Sequence, residues 1–304
     1  MIIIRTEYIP GGFFAQILNR VFEILLMLEK HKIYPCFQIH SNLYGLGDNK
    51  DIIPYYLIHN YNYKTNNGMI FNSIIMDTFS YKYEDGNIVF EFIDIHKKWN
   101  STPNSLTEAN RLLFKYFDFA DGLKNEISKL HTELFVDDNI VGLHYRGTDK
   151  MGSKTGKGYS ESFYIDFGTT VKIIKQEFKR LNTNNLFVAT DDSRILNVLK
   201  KRIMNINIIT INHPYGTTPG VPLHRNPDNN NANDDIKYKI GSSAIIDCVL
   251  LSKCKCLIKY ASQLSAYSAV INPKLQVFRV NKCNYGWFPE NKIKIYKILP
   301  EISK

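Results

Sequence analysis

The segment HYRGTDK, from His144 to Lys150, places two cationic side chains and a carboxylate close together in the chain. Arg146 offers a planar fork of N–H donors and Lys150 a compact point charge, and these cations suit the oxygens of a diphosphate. Asp149 lies between them and can accept hydrogen bonds from a sugar, a ribose or Arg146 itself. The segment is therefore typical of a diphosphate site, although a polar strand end with an internal ion pair has the same composition.

Adjacent carboxylates, Asp191 and Asp192, follow the apolar stretch LFVAT. At least one of them is predicted to face a ligand, and the other is suited to cap the helix that begins near Ser193. Two neighbouring carboxylates can also hold a divalent metal against a diphosphate. We predict no metal, because Arg146 and Lys150 already provide the positive charge.

Three more polar positions and one turn are candidates for substrate binding. Asp247 lies in the apolar run AIIDCVLL, where an unpaired carboxylate is costly, so it needs a donor from guanine, from ribose or from a lysine on a neighbouring strand. Ser262 and Gln263 begin a predicted helix, where N–H groups and a hydroxyl suit a phosphate or ribose, although an ordinary N-cap serine fits equally well. Gly11 and Gly12 permit a tight turn, which is weak evidence by itself.

Strands and helices alternate regularly in the second half of the chain, which predicts a parallel, Rossmann-like sheet. The predicted strands are 140–145, 186–190, 206–211, 256–258 and 276–280. The predicted helices are 163–178, 193–202, 240–252 and 262–271. Ligands of such sheets bind beyond the carboxyl ends of the strands. Each polar segment described above follows a predicted strand or lies in a helix beside one, so we expect one binding site there.

The first half shows a weaker pattern. A strand at 2–4, a glycine turn and a helix from Phe13 to Lys30 begin it, and further strands are predicted at 34–39 and 88–92. A capping box from Ser105 to Glu108 introduces two connector helices. Residues 41–100 show little periodicity, and Asn212 to Asp235 is predicted to be a long loop, either a lid or a tolerated insertion.

Composition excludes several classes of protein. The 304 residues carry a formal charge of +9, but Lys and Arg are dispersed, so we predict no nucleic-acid partner. No apolar stretch reaches the roughly 20 residues of a membrane span, and no signal peptide is evident, so a cytoplasmic location is predicted. The five cysteines are expected to be reduced and buried.

Four motifs together resemble the superfamily of the alpha-1,6-fucosyltransferases of N-glycan cores and rhizobial nodulation factors, with more distant alpha-1,2 and protein O-fucosyltransferases. The motifs are HYRGTDK, ATDD from Ala189 to Asp192, IIDCVLLSKCKCLIKYASQ from Ile245 to Gln263, and GGFFAQ from Gly11 to Gln16. The resemblance is good over residues 141–273 and poor over 41–100.

The resemblance implies a GT-B-like α/β fold of two Rossmann-like domains, with the donor site in the C-terminal one. We assign residues 1–136 to an acceptor-side domain with its helical connector and 137–304 to the domain that binds the GDP-sugar. An alternative has the last residues of the chain packing against the first domain. The implied reaction transfers L-fucose from GDP-beta-L-fucose to a glycan hydroxyl, with inversion and without metal or cofactor.

The same resemblance implies the roles of individual residues. Arg146 would bind the diphosphate and stabilise the leaving group, while Asp149 and Lys150 would orient the sugar and phosphates. The residues implied to bind substrate are Gly11, Gly12, Gln16, His144, Asp191, Asp192, Asp247, Ser262 and Gln263.

Two positions depart from the family pattern. Gly147 stands where the core enzymes carry a second arginine, so part of the positive field is missing or comes from elsewhere. Lys154 stands where they carry a glutamate base, and a protonated lysine cannot accept a proton. Glu161, Asp166 and Glu7 are the candidates to replace that base, and the alternative is that no dedicated base is present. We therefore predict no particular glycosidic linkage. A transferase for another GDP-linked hexose and a non-catalytic GDP-sugar-binding scaffold are the alternative functions.

Overall fold

Two compact units make up the chain in the computed structural model. One comprises residues 1–124 and 228–242, and the other 125–227 and 243–304. Residues 228–242 thus group with the first unit, although the domain prediction placed them in the second half. The structure describes residues 2–6, 13–14, 25, 29, 34–47, 50–61, 79–84, 87–92, 103–137, 139–147, 166–211, 232–281 and 297–298.

The first unit is built on a mostly parallel sheet. Its strands are β1 (Ile2–Thr6), β2 (Cys36–Ile39), β3 (Leu57–His59), β4 (Phe79–Glu84), β5 (Asn87–Phe92) and β6 (Phe117–Phe119). The order β2-β1-β5-β4 has β1 parallel to both neighbours, while β4 joins β5 as an antiparallel edge. β3 and β6 form a separate antiparallel pair. The predicted strands at 2–4, 34–39 and 88–92 are confirmed, and the antiparallel edge extends the expected Rossmann-like pattern.

The described helices of this unit are α1 (Ile53–Tyr56), α2 (Leu106–Tyr116) and the start of α3 (Asp121–Leu134). Side-chain hydrogen bonds to the backbone lie at the starts of α1 and α2. Half of the predicted capping box is found, because Ser105 Oγ accepts a hydrogen bond from the Glu108 N–H at 3.1 Å. The Glu108 carboxylate accepts from the Asn104 N–H rather than from that of Ser105. Asp51 accepts from the N–H groups of Ile39 and Ile53 and so joins β2 to α1.

A histidine lies within the aromatic core of the first unit. His59 Nε2 accepts a hydrogen bond from the Phe37 N–H at 3.0 Å, and its ring packs against those of Phe37 and Phe117. Burial lowers the pKa of His59 from 6.5 to about 4. Because Nε2 accepts a hydrogen bond and the ring is partly buried, the fold favours the neutral imidazole.

We expect the free energy of unfolding to fall by about 3 kcal/mol between pH 7 and pH 4 through His59 alone. The unfolded chain takes up a proton near pH 6.5 and the folded chain only near pH 4, so acid favours the unfolded state in that window. Urea unfolding at several pH values measures the effect. His59→Gln retains an acceptor without titrating, and it should show a smaller loss of stability on acidification. An identical pH dependence in both proteins would contradict the assignment.

The second unit contains a six-stranded sheet. Its strands are β7 (Val141–Tyr145), β8 (Asn185–Thr190), β9 (Asn207–Ile209), β10 (Cys256–Lys259), β11 (Gln276–Arg279) and β12 (Lys297–Ile298). They are all parallel, in the order β12-β11-β10-β7-β8-β9. From β7, the chain adds β8 and β9 on one side and β10, β11 and β12 on the other, so the order of strand addition reverses at β7. A crevice at the carboxyl ends of the strands is expected at such a point.

Four helices alternate with these strands. They are α4 (Phe167–Leu181), α5 (Arg194–Arg202), α6 (Asp234–Lys253), whose first half belongs to the first unit, and α7 (Gln263–Ile271). Side chains of β7 alternate across the sheet: Val141 and Leu143 join the core with Ile174 of α4 and Leu199 of α5, whereas His144 faces α7. The predicted α/β alternation of this half is confirmed, with α4 beginning a turn later and α6 a turn and a half earlier than expected.

Some predicted elements lie outside the described residues, namely most of the helix at 13–30 and most of the loop at 212–235. Among the described helices, none combines the length and the apolar character that a bilayer span needs. All four described cysteines carry free thiols, and three of them are buried, as expected.

Candidate functional site

The centre of the site is an ion pair at the carboxyl end of β7. Arg146 Nε lies 3.1 Å from Asp191 Oδ2, and the two side chains are 17% and 5% exposed. Asp191 Oδ1 also accepts a hydrogen bond from the Gly147 N–H at 2.8 Å. One buried carboxylate thus fixes both the guanidinium and the backbone that follows it. Arg146 and Gly147 of the first motif are therefore close to Asp191 of ATDD.

The neighbouring carboxylate has a different partner. Asp192 accepts two hydrogen bonds from the Arg194 guanidinium, at 2.7 and 2.6 Å, and one from the Arg194 N–H at 3.1 Å. The hydrogen bonds from the Arg194 side chain hold the pKa of Asp192 below its ordinary value. Asp191 therefore holds Arg146, and Asp192 lies just before the N-cap residue Ser193 of α5. That either carboxylate contacts a ligand stays a prediction.

Gly147 is closely surrounded. A Cβ atom at this position would lie 2.6 Å from Tyr145 Cε1, 2.9 Å from Asp192 Cβ and 3.1 Å from Asp192 Oδ2. The Tyr145 ring is itself packed edge-on against Phe167 and Tyr260. Because real side chains do not approach this closely, the glycine lets the backbone pass between the ring and the carboxylate.

His144 is buried beneath α7. Its Nδ1 lies 2.8 Å from Ser265 Oγ, and the side chain is on the same face as Lys259, its register partner in β10. Burial and the positive charges of Lys259 and Arg146 lower the pKa of His144 well below its usual value. The imidazole is therefore neutral and anchors the first turn of α7. Its predicted role in binding the nucleotide stays a prediction.

The first turn of α7 brings Ser262 and Gln263 to the same edge of the sheet. Ser262 occupies the N-cap position, but its hydroxyl makes no capping hydrogen bond. Gln263 is 8% exposed, and among the described residues neither atom of its amide has a hydrogen-bond partner. A buried amide without partners costs free energy, which a ligand at this helix start would recover.

Two predicted positions, Asp247 and Asp166, have definite places in the structure. Asp247 is buried in the second half of α6, at 7% exposure. Asp166, one of the substitute bases, is the N-cap of α4, and its Oδ2 accepts a hydrogen bond from the Gly168 N–H. The predicted site residues outside the described part of the chain are Gly11, Gly12, Gln16, Asp149 and Lys150, together with the base candidates Glu7, Lys154 and Glu161.

Sequence reasoning missed several polar residues at this edge. Lys259 and Arg279 are register partners at the ends of β10 and β11, and they are 0% and 7% exposed. Each ends a short apolar strand, CLIK or QVFR, and that charge at a strand end was the available signal. Ser265 was recognisable only by its spacing from Ser262, and Arg194 only by its position after TDDS.

A groove of about 580 Å³ lies at the other end of the sheet, where β8 and β9 begin. Its lining includes Lys175, Lys179 and Met204. The ligand-binding rule for parallel sheets favours the carboxyl edge, so we place the site there instead. Within the described ranges, no three His, Cys, Asp or Glu side chains are grouped as a metal site.

Solved structures provide the comparison with known proteins. NodZ alpha-1,6-fucosyltransferase soaked with GDP-fucose has a TM-score of 0.53 at 12% identity, covering 91% of this chain and 94% of that chain. The same enzyme co-crystallised with GDP has a TM-score of 0.51 with the same identity and coverage. A FUT1 mutant of Arabidopsis thaliana in complex with GDP has a TM-score of 0.50 at 8% identity, covering 96% and 72%.

No protein-family model and no curated protein sequence matches the chain. At these identities the structural likeness establishes the fold. The predicted GT-B-like α/β class is confirmed at that level. The chain therefore has the fold of the fucosyltransferases that its motifs resemble.

Proposed function

We propose that this chain is a glycosyltransferase that moves L-fucose from GDP-beta-L-fucose to the hydroxyl of a glycan, with inversion and without a metal. The observation that carries the proposal is the Arg146–Asp191–Gly147 arrangement at the carboxyl edge of a parallel sheet, one strand away from the start of α7. The fold shared with GDP- and GDP-fucose-bound fucosyltransferases supports the choice of donor.

In the proposed reaction, the role of each described group follows from its charge. As the bond between the fucose anomeric carbon and the phosphate oxygen breaks, negative charge grows on the diphosphate. Arg146 and the N–H groups at the start of α7 stabilise that charge. The Gln263 amide, buried without partners among the described residues, donates to or accepts from the nucleotide. Asp149 and Lys150 keep their proposed role in orienting sugar and phosphates.

The acceptor hydroxyl attacks the anomeric carbon from the face opposite the leaving GDP, which inverts the configuration. Its proton passes to a base or to solvent as the new bond forms. We do not assign this step to Asp166, because its carboxylate caps α4 through the Gly168 N–H. An expanded transition state with much of the positive charge on the sugar requires little activation of the nucleophile, so a weak base suffices.

GDP and GDP-fucose are expected to raise the melting temperature more than UDP or ADP do. At about 100 times the dissociation constant, a ligand of the folded state adds about 2.7 kcal/mol to the free energy of unfolding. Differential scanning fluorimetry with the four nucleotides measures the preference. Equal shifts with all four, or none, would overturn the proposal.

Turnover separates the remaining alternatives. Release of GDP from GDP-fucose but not from GDP-mannose supports the fucosyltransferase, and the reverse supports a transferase for another hexose. A chain that is stabilised by GDP yet releases none with any acceptor is a binding scaffold.

A further inference from the structure

Two adjacent carboxylates close to Gly147 each hold one guanidinium group. Asp191 pairs with Arg146, and Asp192 pairs with Arg194 through two hydrogen bonds. Asp192 Oδ2, which Arg194 contacts at 2.6 Å, also lies 3.1 Å from the place that a Cβ atom on Gly147 would occupy. The Arg194 guanidinium is therefore only one carboxylate group away from the backbone of the proposed donor site.

The two pairs differ in their exposure to water. The Arg146 side chain is 17% exposed and its Asp191 partner 5%, whereas the Arg194 side chain is 62% exposed beside an Asp192 that is 12% exposed. An ion pair with so exposed a cation adds little to stability, so structural need alone does not explain it. Asp192 instead fixes the direction in which the guanidinium points.

The guanidinium of Arg194 also has donors to spare. Asp192 takes hydrogen bonds from Nε and Nη2, and Nη1 makes no hydrogen bond to any residue in the described part of the chain. Arginine can bind a carboxylate with one edge and a phosphate with another, since its five N–H groups lie in one plane. One edge of the Arg194 guanidinium is thus held, on a side chain that is mostly exposed.

We propose that Arg194 is a further ligand-binding residue, which contacts the diphosphate of the nucleotide sugar together with Arg146. This rests on the proposed function for the choice of ligand, but the anion subsite itself follows from the two Asp–Arg pairs close to Gly147. Asp192 acts as the positioning residue for Arg194. A diphosphate carries at least two negative charges, and the two pairs offer two guanidinium groups close to Gly147.

The test compares Arg194→Ala with Lys200→Ala, which removes the same charge from an exposed position at the other end of α5. Isothermal titration calorimetry measures the binding of GDP, guanosine and inorganic pyrophosphate. We expect Arg194→Ala to weaken the binding of GDP and pyrophosphate by about 10- to 100-fold, the range for one lost charge-assisted hydrogen bond. Guanosine affinity should not change, and Lys200→Ala should match the wild type for all three ligands.

Arg194→Lys and the melting temperature complete the test. Lysine keeps the charge but lacks the planar fork, so an intermediate pyrophosphate affinity is expected. Equal losses of GDP and guanosine affinity with a lower melting temperature would show that Arg194 acts structurally, and unchanged pyrophosphate affinity would also overturn the proposal. If the wild type binds pyrophosphate without preferring GDP to UDP and ADP, the proposed function fails while the anion subsite stands.

Discussion

Arg146→Ala is expected to lower the rate of fucosyl transfer by about 10²- to 10³-fold, the loss typical of removing one donor that stabilises charge in the transition state. Arg146 is the guanidinium that a buried carboxylate, Asp191, holds at the centre of the proposed donor site. Single-turnover measurements with GDP-fucose separate the chemical step from donor binding. Arg202→Ala, which removes an exposed arginine from the end of α5, is the matched control.

The same variant has a structural cost that must be separated from its catalytic effect. Removing Arg146 takes a cation away from the buried Asp191, so we expect a loss of about 1 to 3 kcal/mol of stability. Adding Asp191→Asn to Arg146→Ala gives a double variant, in which the negative charge is removed and an acceptor for the Gly147 N–H is kept. The double variant should regain stability but not activity. Recovery of activity together with stability would mean that Arg146 serves only the fold.

Gly147→Arg is expected to impair the protein, although it restores the residue found at this position in the core fucosyltransferases that the motif resembles. Its Cβ would lie 2.6 Å from the Tyr145 ring and 2.9 Å from Asp192 Cβ. Overpacking of this kind costs about 1 to 3 kcal/mol, and here it also displaces the carboxylate that holds Arg194. We expect a lower melting temperature and at least a 10-fold weaker affinity for GDP. About 1.4 kcal/mol of lost binding free energy corresponds to that 10-fold change.

Gly122→Ala supplies the control for Gly147→Arg. Gly122 lies in the first turn of α3, and a Cβ there would meet no atom within 4 Å. Alanine should leave stability unchanged or raise it by about 0.4 to 1 kcal/mol. Gly147→Ala should act in the same direction as Gly147→Arg, but more weakly. A Gly147→Arg protein that binds GDP more tightly than the wild type would show that Tyr145 and Asp192 move aside readily.

Periodicity alone was enough to predict most of the second unit. The strands β7, β8, β10 and β11 and the helices between them were predicted to within a few residues, because alternation and helical spacing are local properties of the chain. The start of α6 was missed by six residues, since Asp234 to Lys239 carry polar residues that look like the preceding loop. The antiparallel edge formed by β4 had no comparable local signal.

The sequence by itself determined which residue types stand at the strand ends, and hence that cations, carboxylates and a serine-glutamine turn gather at one edge of a parallel sheet. Only the tertiary structure decided their partners: Asp191 with Arg146 and the Gly147 N–H, Asp192 with Arg194, and His144 with Ser265. The physical reason is the range of the interactions. Strand and helix periodicity arises between near neighbours, whereas a hydrogen bond such as that between His144 and Ser265 joins atoms 121 residues apart and depends on ångström-scale distances between separate elements.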